Sequence, residues 1–195
     1  MRTRVAAVLS FFAMVAACGG GAPLPAATAP TPTSAAASTS EASPPTPSAF
    51  TPGPATKHGG CQAHGALPDP ACTPGAVMTK DLDVICHRTT RARRHVEASV
   101  HRQAFTEYGY GFPQATGAFE VDHLIPLELG GDNAIENLWA EPANPKPGFH
   151  QKDRVENYLH RQVCTGAMTI DAAQKIIASD WVSVWRKMNG GGGQN

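Results

Sequence analysis

Short apolar runs separated by turn residues divide the second half of the chain into small elements. Residues 121–126 are apolar apart from Asp122 and His123, and the apolar pair Leu138 and Trp139 follows a Gly-Gly turn. Two short apolar runs on either side of a Gly-bearing loop are typical of a β-hairpin. We therefore predict a hairpin of two short strands here, with a helix after it.

Apolar residues at helical spacing predict three helices around this hairpin. The first runs from Thr89 to about Tyr108, contains no Pro or Gly before that point, and has Thr89 or Thr90 as its N-cap. The second runs from about residue 150 to 163, and the third covers residues 169–180. The helices and the hairpin together predict a small α+β domain.

Two further segments complete the expected domain. Residues 84–86, Val-Ile-Cys, predict a short strand, and Trp181 and Trp185 are four positions apart, so on a helix they share one face and belong to the core. We place the domain at residues 58–189 and expect the Gly-rich residues 190–195 to be disordered.

The first 57 residues predict export rather than a fold. In residues 1–18 two arginines precede an apolar run that is too short to cross a bilayer, which is typical of a secretory signal. The ending Val-Ala-Ala-Cys18 resembles the bacterial lipobox, in which the cysteine is lipidated; an ordinary cleaved signal is the alternative. Residues 19–57 are rich in Ala, Pro, Ser and Thr and predict a disordered tether, or an O-glycosylated stalk. We expect an exported protein, held in the cell envelope by a lipid on Cys18.

The overall charge of the domain does not favour binding to a polyanion, so such a partner would need a local basic patch. From His58 onward 13 Lys and Arg stand against 15 Asp and Glu. Five arginines and two histidines nevertheless cluster between His87 and Arg102, with the single acid Glu97. Such a run is usually a solvated helix face; beside an active site it would contact phosphates. The candidates for phosphate contact are Arg91, Arg94 and Arg102.

Four cysteines remain after the signal, namely Cys61, Cys72, Cys86 and Cys164. An even number in an exported chain favours two disulfides, for which three connectivities exist. We prefer Cys61 with Cys72 and Cys86 with Cys164. A zinc cluster is the rival interpretation, but the chain has no Cys-x-x-Cys pair.

The central stretch resembles the HNH, or ββα-metal, nuclease superfamily, in which Asp-His-hydrophobic-x-Pro precedes a Gly-Gly loop and an Asn-Leu pair. The wider sequence, roughly residues 58–185, resembles a group of exported bacterial proteins labelled HNH-like. The resemblance implies a ββα-metal core. The residues that match the superfamily pattern are Asp122, His123, Leu124, Ile125, Pro126, Gly130, Gly131, Asn137 and Leu138.

Phosphodiester hydrolysis requires a deprotonated nucleophile and a cation that neutralises the phosphate. His123 has the side chain whose pKa suits a general base, and Asp122 offers a hard oxygen ligand for Mg²⁺ or Mn²⁺. The resemblance implies that Asn137 bridges the loop backbone and holds His123 in orientation. Each of these three also has an ordinary structural interpretation, as a core histidine, a turn residue and a cap.

The second metal ligand is expected near the start of the helix after the hairpin. His150 is the first choice there, and Asn144, Asp153 and Glu156 are alternatives. The usual Cys-His or Asn-x-x-Lys ending of the superfamily pattern is absent.

The resemblance implies a metal-dependent endonuclease that acts outside the cytoplasm on DNA, with RNA as the second candidate. The alternative from another class is a non-catalytic surface lipoprotein with an HNH-like fold that binds an envelope polymer or a partner protein. A metal-dependent hydrolase of another phosphodiester is the third interpretation. For the nuclease we expect nucleic acid as the partner and infer no protein partner.

Overall fold

A computed structural model describes residues 50–190 and shows an α+β fold with one two-stranded antiparallel sheet. The expected signal, Cys18, most of the tether and the tail beyond Gly190 lie outside the described residues. Three-residue 3-10 turns occur at Thr90–Ala92, Leu127–Leu129 and Ile135–Asn137. The regular elements are α1 (Leu82–His87), α2 (Ala98–Glu107), β1 (Phe119–His123), β2 (Leu138–Pro142), α3 (Phe149–Cys164), α4 (Ile170–Ser179) and α5 (Trp181–Met188).

The predicted hairpin is confirmed, and so are the two helices that follow it. Strands β1 and β2 pair in antiparallel register, with Asp122 opposite Trp139 and His123 opposite Leu138. Helices α3 and α4 lie where the apolar spacing places them, and the Thr169 side chain caps α4 by accepting a hydrogen bond from the Ala172 N–H.

The prediction of a strand at residues 84–86 is wrong. These residues lie inside helix α1, whose start is fixed by the Asp81 carboxylate, which accepts a hydrogen bond from the Asp83 N–H at 2.9 Å. A short apolar run is compatible with a strand or with a helix. Here the acidic N-cap favours the helix.

The prediction of one helix from Thr89 to Tyr108 is also wrong in its first half. The Thr89 hydroxyl caps only the turn Thr90–Ala92, by accepting a hydrogen bond from the Arg91 N–H. The backbone is extended at Glu97 (φ −63°, ψ 144°), and α2 begins at the next residue. Like charges three positions apart, such as those of Arg91 and Arg94, disfavour a helix through this run.

The Gly-Gly loop after β1 is packed backbone to backbone. Gly130 has φ 79°, and a Cβ on it would lie 2.0 Å from the Thr79 carbonyl oxygen. A Cβ on Gly131 would lie 1.7 Å from the Ile125 carbonyl oxygen and 2.9 Å from Nδ2 of Asn137. Both positions therefore exclude every residue with a side chain, and the loop is held tightly over the end of β1.

Helices α3, α4 and α5 form the main core together with the loop after β1. Trp181 is fully buried there and donates its indole N–H to the Ala66 carbonyl at 3.1 Å, while Trp185 is partly buried against the same cluster. The expected core role of both tryptophans is thus confirmed. The buried members of this core are Ile125, Leu129, Val155, Leu159, Val163, Ala173, Ile177 and Trp181.

Two disulfides are present, with the preferred pairing. Cys61 bonds to Cys72 across the Pro-rich loop, and Cys86 bonds to Cys164. The second bond fastens α1 to the C-terminal end of α3. Disulfides are typical of proteins outside the cytoplasm. Within residues 50–190 no helix is long and apolar enough to cross a membrane.

Residues 50–57, which the composition assigns to the tether, lie against the domain. The Phe50 ring packs on the main core beside Gly75, and the Gly53 N–H donates to the Gly75 carbonyl at 3.2 Å. Lys57 forms an ion pair with Asp69 at 3.0 Å. The contacts of the domain therefore include residues 50–57 as well as the expected residues from 58 onward.

Replacing Gly131 with alanine should destabilise the domain, because the new Cβ has no room beside the Ile125 carbonyl. We expect Gly131→Ala to lower the free energy of unfolding by about 1 to 3 kcal/mol or more, as overpacking does. The matched control is Gly111→Ala, where a Cβ meets nothing within 4 Å. Urea denaturation of both variants measures the difference. Equal losses in the two variants would contradict the tight packing of the loop.

Candidate functional site

The imidazole of His123 is held in one orientation at the end of β1. Its Nε2 lies 2.9 Å from Oδ1 of Asn133, while Nδ2 of Asn133 donates to the Arg93 carbonyl at 2.7 Å. Because that carbonyl can only accept, Oδ1 of Asn133 is the acceptor for the ring, and Nε2 of a neutral His123 must carry the proton. The Nδ1 lone pair is then the one available to take up a proton.

Asn137 lies where the sequence places it and bridges the loop backbone. Its Oδ1 accepts from the Ile125 N–H at 2.9 Å, and its Nδ2 donates to the carbonyls of Ile125 and Asp132. The contact to the imidazole, however, comes from Asn133, which the sequence analysis did not select. Its position two residues after the Gly-Gly pair, in a loop that returns to the end of β1, was the available signal.

A cavity of about 370 Å³ opens beside His123. Three basic side chains, an acid and two valines share its wall with that histidine. Of the three arginines chosen for phosphate contact, Arg94 lines this cavity, whereas Arg91 and Arg102 are exposed side chains outside its lining. The lining residues are Arg94, His95, Val96, His101, Glu120, Val121 and His123.

Burial sets the protonation of the two titratable groups on β1 that line the cavity. The pKa of His123 is below its ordinary value, because burial penalises the imidazolium more than the hydrogen bond to Asn133 favours it. The pKa of Glu120 is raised, first by burial and then by the neighbouring carboxylates of Asp122 and Asp153. His123 is therefore neutral near pH 7, as a general base must be.

The carboxylate of Asp122 meets a lysine ammonium on α3. Nζ of Lys152 donates to Oδ2 of Asp122 at 2.8 Å, to the His123 carbonyl at 2.7 Å and to Oε1 of Glu156. Oε2 of Glu141 lies 3.9 Å from the same nitrogen. Lys152 is only 1% exposed. We call Asp122, Glu141, Lys152 and Glu156 the buried ion cluster.

Lys152 and Glu156 are charged residues on α3, where the exposed side of the helix is their ordinary place. Both are buried, because their side chains lie against the end of the hairpin instead of pointing to water. Charged residues at i and i+4 look like an ordinary surface pair in a sequence. The acidic residues on β1 and β2 that attract Lys152, which in turn pairs with Glu156, become visible only with the strand register.

One cation among three carboxyl groups leaves the cluster short of positive charge, and the pKa values reflect this. Burial would raise the pKa of Asp122, but the Lys152 ammonium outweighs burial and holds it below the ordinary value. Burial raises the pKa of Glu156 to about 8, although Lys152 opposes it, and raises that of Glu141 well above its usual range. Neither oxygen of Glu141 has a hydrogen-bond partner in the described residues.

The arrangement around Asp122 does not fit the expected Mg²⁺ or Mn²⁺. Its Oδ2 holds the Lys152 ammonium, and its Oδ1 accepts from the His123 N–H at 2.7 Å. The first choice for the second ligand, His150, is exposed at the start of α3 with its ring against Phe149. Within residues 50–190 His150 forms neither a hydrogen bond nor an ion pair with Asp122, whose oxygens bind Lys152 and the His123 N–H.

The three alternatives for the second ligand differ in place. Asn144 is exposed in the loop before α3, and Asp153 is exposed at the fifth residue of that helix. Glu156 alone belongs to the buried ion cluster, and its Oε1 is already bound to Lys152. As arranged, none of them completes a divalent site with Asp122.

A different trio, Cys86, His160 and Cys164, places its ligand atoms within 4.8 Å of one another. The two sulfur atoms are joined in a disulfide, however, so neither is a thiolate that could bind a metal. Nε2 of His160 instead lies 3.0 Å from the Ile85 carbonyl, which indicates a structural contact between α1 and α3.

The raised pKa values of the buried ion cluster predict a stability that depends on pH. The Glu156 carboxyl holds a proton in the folded state up to about pH 8, whereas an ordinary Glu loses it near pH 4.5. The folded state therefore binds more protons in this window, and the contribution of Glu156 to stability falls as pH rises from about 4.5 to 8. The melting temperature should therefore fall over this pH range, and it should fall less steeply in Glu156→Gln, which has no carboxyl group to titrate.

The measurement is the melting temperature of wild type and variant between pH 5 and 8. The control is Glu97→Gln, at a side chain that is 70% exposed. Because the lowered pKa of His123 acts in the opposite direction, only the difference between variant and wild type counts. Parallel pH curves for wild type and Glu156→Gln would contradict a proton held at Glu156.

Comparison of the chain with family models, with curated proteins and with solved structures gave no match to any of the three. The interpretation of the site therefore rests on its own geometry, that is, a neutral histidine oriented by Asn133 in a basic cavity, backed by the buried ion cluster.

Proposed function

We propose that this domain cleaves phosphodiester bonds of nucleic acid, with His123 as the general base. The observation that carries the proposal is the fixed imidazole of His123 in a cavity lined by Arg94, His95 and His101. The resemblance to the HNH superfamily and the strand-loop-strand-helix order of β1, β2 and α3 support it.

His123 supplies the proton acceptor. With Nε2–H donated to Asn133, Nδ1 removes the proton from the attacking oxygen, which is a water for DNA or the 2′-hydroxyl for RNA. That oxygen bonds to phosphorus while the phosphorus–oxygen bond to the leaving group breaks, and the leaving oxygen takes a proton from water. The lowered pKa keeps Nδ1 free of a proton near neutral pH. A positioned base of this kind contributes about 10² to 10⁴-fold to a rate.

The basic side chains of the cavity supply the charge stabilisation. Arg94 offers a guanidinium that can bind a phosphate through two parallel hydrogen bonds. In the free protein it lies 3.7 Å from Oε1 of Glu128, a weak surface pair that a phosphate can displace. His95 and His101 line the same wall and offer ring N–H donors to a phosphate.

We propose DNA as the first substrate and RNA as the second, encountered outside the cytoplasm. The two disulfides support a location in an oxidising compartment. We further propose that a lipid on Cys18 holds the domain in the cell envelope.

The test is cleavage of supercoiled plasmid DNA and of single-stranded RNA by the full chain. We expect His123→Ala to lose about 100-fold or more of the rate, since the base is gone. The control is His64→Ala, at an exposed histidine outside the cavity. No cleavage by the wild type, or full cleavage by His123→Ala, would overturn the proposal; binding without cleavage would favour the non-catalytic surface protein.

The orientation by Asn133 predicts a shift in the pH profile. In wild type the rate should rise with pH through the pKa of His123, which lies below its ordinary value, and then level off. In Asn133→Asp a carboxylate faces Nε2 and stabilises the imidazolium, so the pKa of His123 rises and the rising limb moves to higher pH.

The measurement is kcat against pH for wild type and Asn133→Asp. Asn157→Asp is the matched control, because Asn157 is exposed on α3 and its side chain bonds only within that helix. An unchanged limb in Asn133→Asp would show that Asn133 does not orient the base.

A further inference from the structure

The ammonium of Lys152 is surrounded by oxygen atoms in the way that a bound metal cation is. Each of its three hydrogens has an oxygen acceptor, namely Oδ2 of Asp122, the carbonyl of His123 and Oε1 of Glu156. The carboxyl oxygens of Asp122 and Glu156 and one main-chain carbonyl are also the kind of hard oxygen donor that Mg²⁺ and Mn²⁺ take from proteins. The site is thus built for a cation and already contains one.

The position of this cation relative to the candidate base is the second observation. Lys152 binds the carboxylate of Asp122 and the main-chain carbonyl of His123, so it is joined to both members of the Asp-His pair. The superfamily resemblance puts the divalent ion at Asp122. A divalent ion and an ammonium at one carboxylate oxygen would repel each other strongly in a buried position.

The surplus of carboxyl groups is the third observation. Glu141 is fully buried, its Oε2 lies 3.9 Å from the ammonium nitrogen, and its carboxyl group also interacts with that of Asp122. Removal of the lysine would leave the oxygens of Asp122, Glu141 and Glu156 around a space without a cation. The Asp122 carboxylate would then be buried without a partner, which is unfavourable, and a cation bound in that space would restore the partner.

We propose that Lys152 is the resident cation of the hairpin and α3, that it stands in the place of a divalent ion, and that Asp122 of this chain binds no Mg²⁺ or Mn²⁺. Lys152 is a positioning residue: at 1% exposure it does not reach a substrate, but it holds the end of β1, and with it His123, against α3. If the domain cleaves nucleic acid, as proposed above, the absence of a divalent ion at Asp122 means that a chelator leaves the activity unchanged.

The test is binding of Mn²⁺ to the full chain, followed by electron paramagnetic resonance and by the melting temperature in millimolar MnCl₂. Wild type and Asp122→Asn should bind Mn²⁺ equally weakly, because Asp122 is occupied by Lys152. Lys152→Ala should bind one Mn²⁺ at least about tenfold more tightly, the size of effect that a single residue around a metal has. The double variant Lys152→Ala/Asp122→Asn should lose this gain.

Two results would overturn the proposal. One is tight Mn²⁺ binding by the wild type that Asp122→Asn abolishes, and the other is a folded Lys152→Ala that gains no affinity for Mn²⁺. If Lys152→Ala fails to fold even with Mn²⁺ present, the comparison of wild type with Asp122→Asn decides alone. Metal binding is measured without substrate, so a chain that cleaves nothing refutes the proposed function and leaves this result standing.

Cleavage with and without EDTA is the additional arm where the wild type is active. Equal rates in EDTA and in MgCl₂ would support Lys152 as the resident cation. The proposal would be overturned if EDTA abolished the activity of the wild type, Mg²⁺ restored it, and Asp122→Asn showed no such activation by Mg²⁺.

Discussion

The buried ammonium of Lys152 is the interaction on which the site depends. It joins the side chain of Asp122 and the carbonyl of His123 on β1 to Glu156 on its own helix. Since burial of an unpaired charge costs several kcal/mol, the hairpin and α3 can meet in only one relative position, the one in which every ammonium hydrogen is used. Lys152 therefore helps to orient the candidate base His123 without taking part in the proposed reaction.

The loop after β1 applies the same constraint from the other side. Gly130 and Gly131 bring its backbone against Thr79 and Ile125, and Asn137 closes the loop through hydrogen bonds to the main chain. The returning chain then presents Asn133 to the imidazole. A histidine clamped at its carbonyl by Lys152 and at its ring by Asn133 has few alternative positions, which is what a base that must meet a reacting atom needs.

Local pattern was enough to predict the hairpin, α3 and α4, because each depends on residues close in sequence. The disulfide pairing was a preference among three connectivities, and the structure has the preferred one. The break between Thr89 and Ala98 and the helix at residues 82–87 were missed, since caps and charge repulsion decided there against apolar spacing. The inward turn of Lys152 and Glu156 depends on partners about 30 residues away in β1, as the separation from Asp122 shows. No periodicity within α3 contains that information.

The packing of Phe50 has a practical meaning for anyone who prepares this domain. Its ring lies beside Gly75 and Ile125, and Ile125 is two residues from the candidate base. A fragment that starts at residue 58, where the composition changes, would uncover apolar surface directly beneath the site-bearing loop. A fragment that starts a few residues before Phe50 keeps that surface covered and is the better starting point for crystallisation and for solution studies.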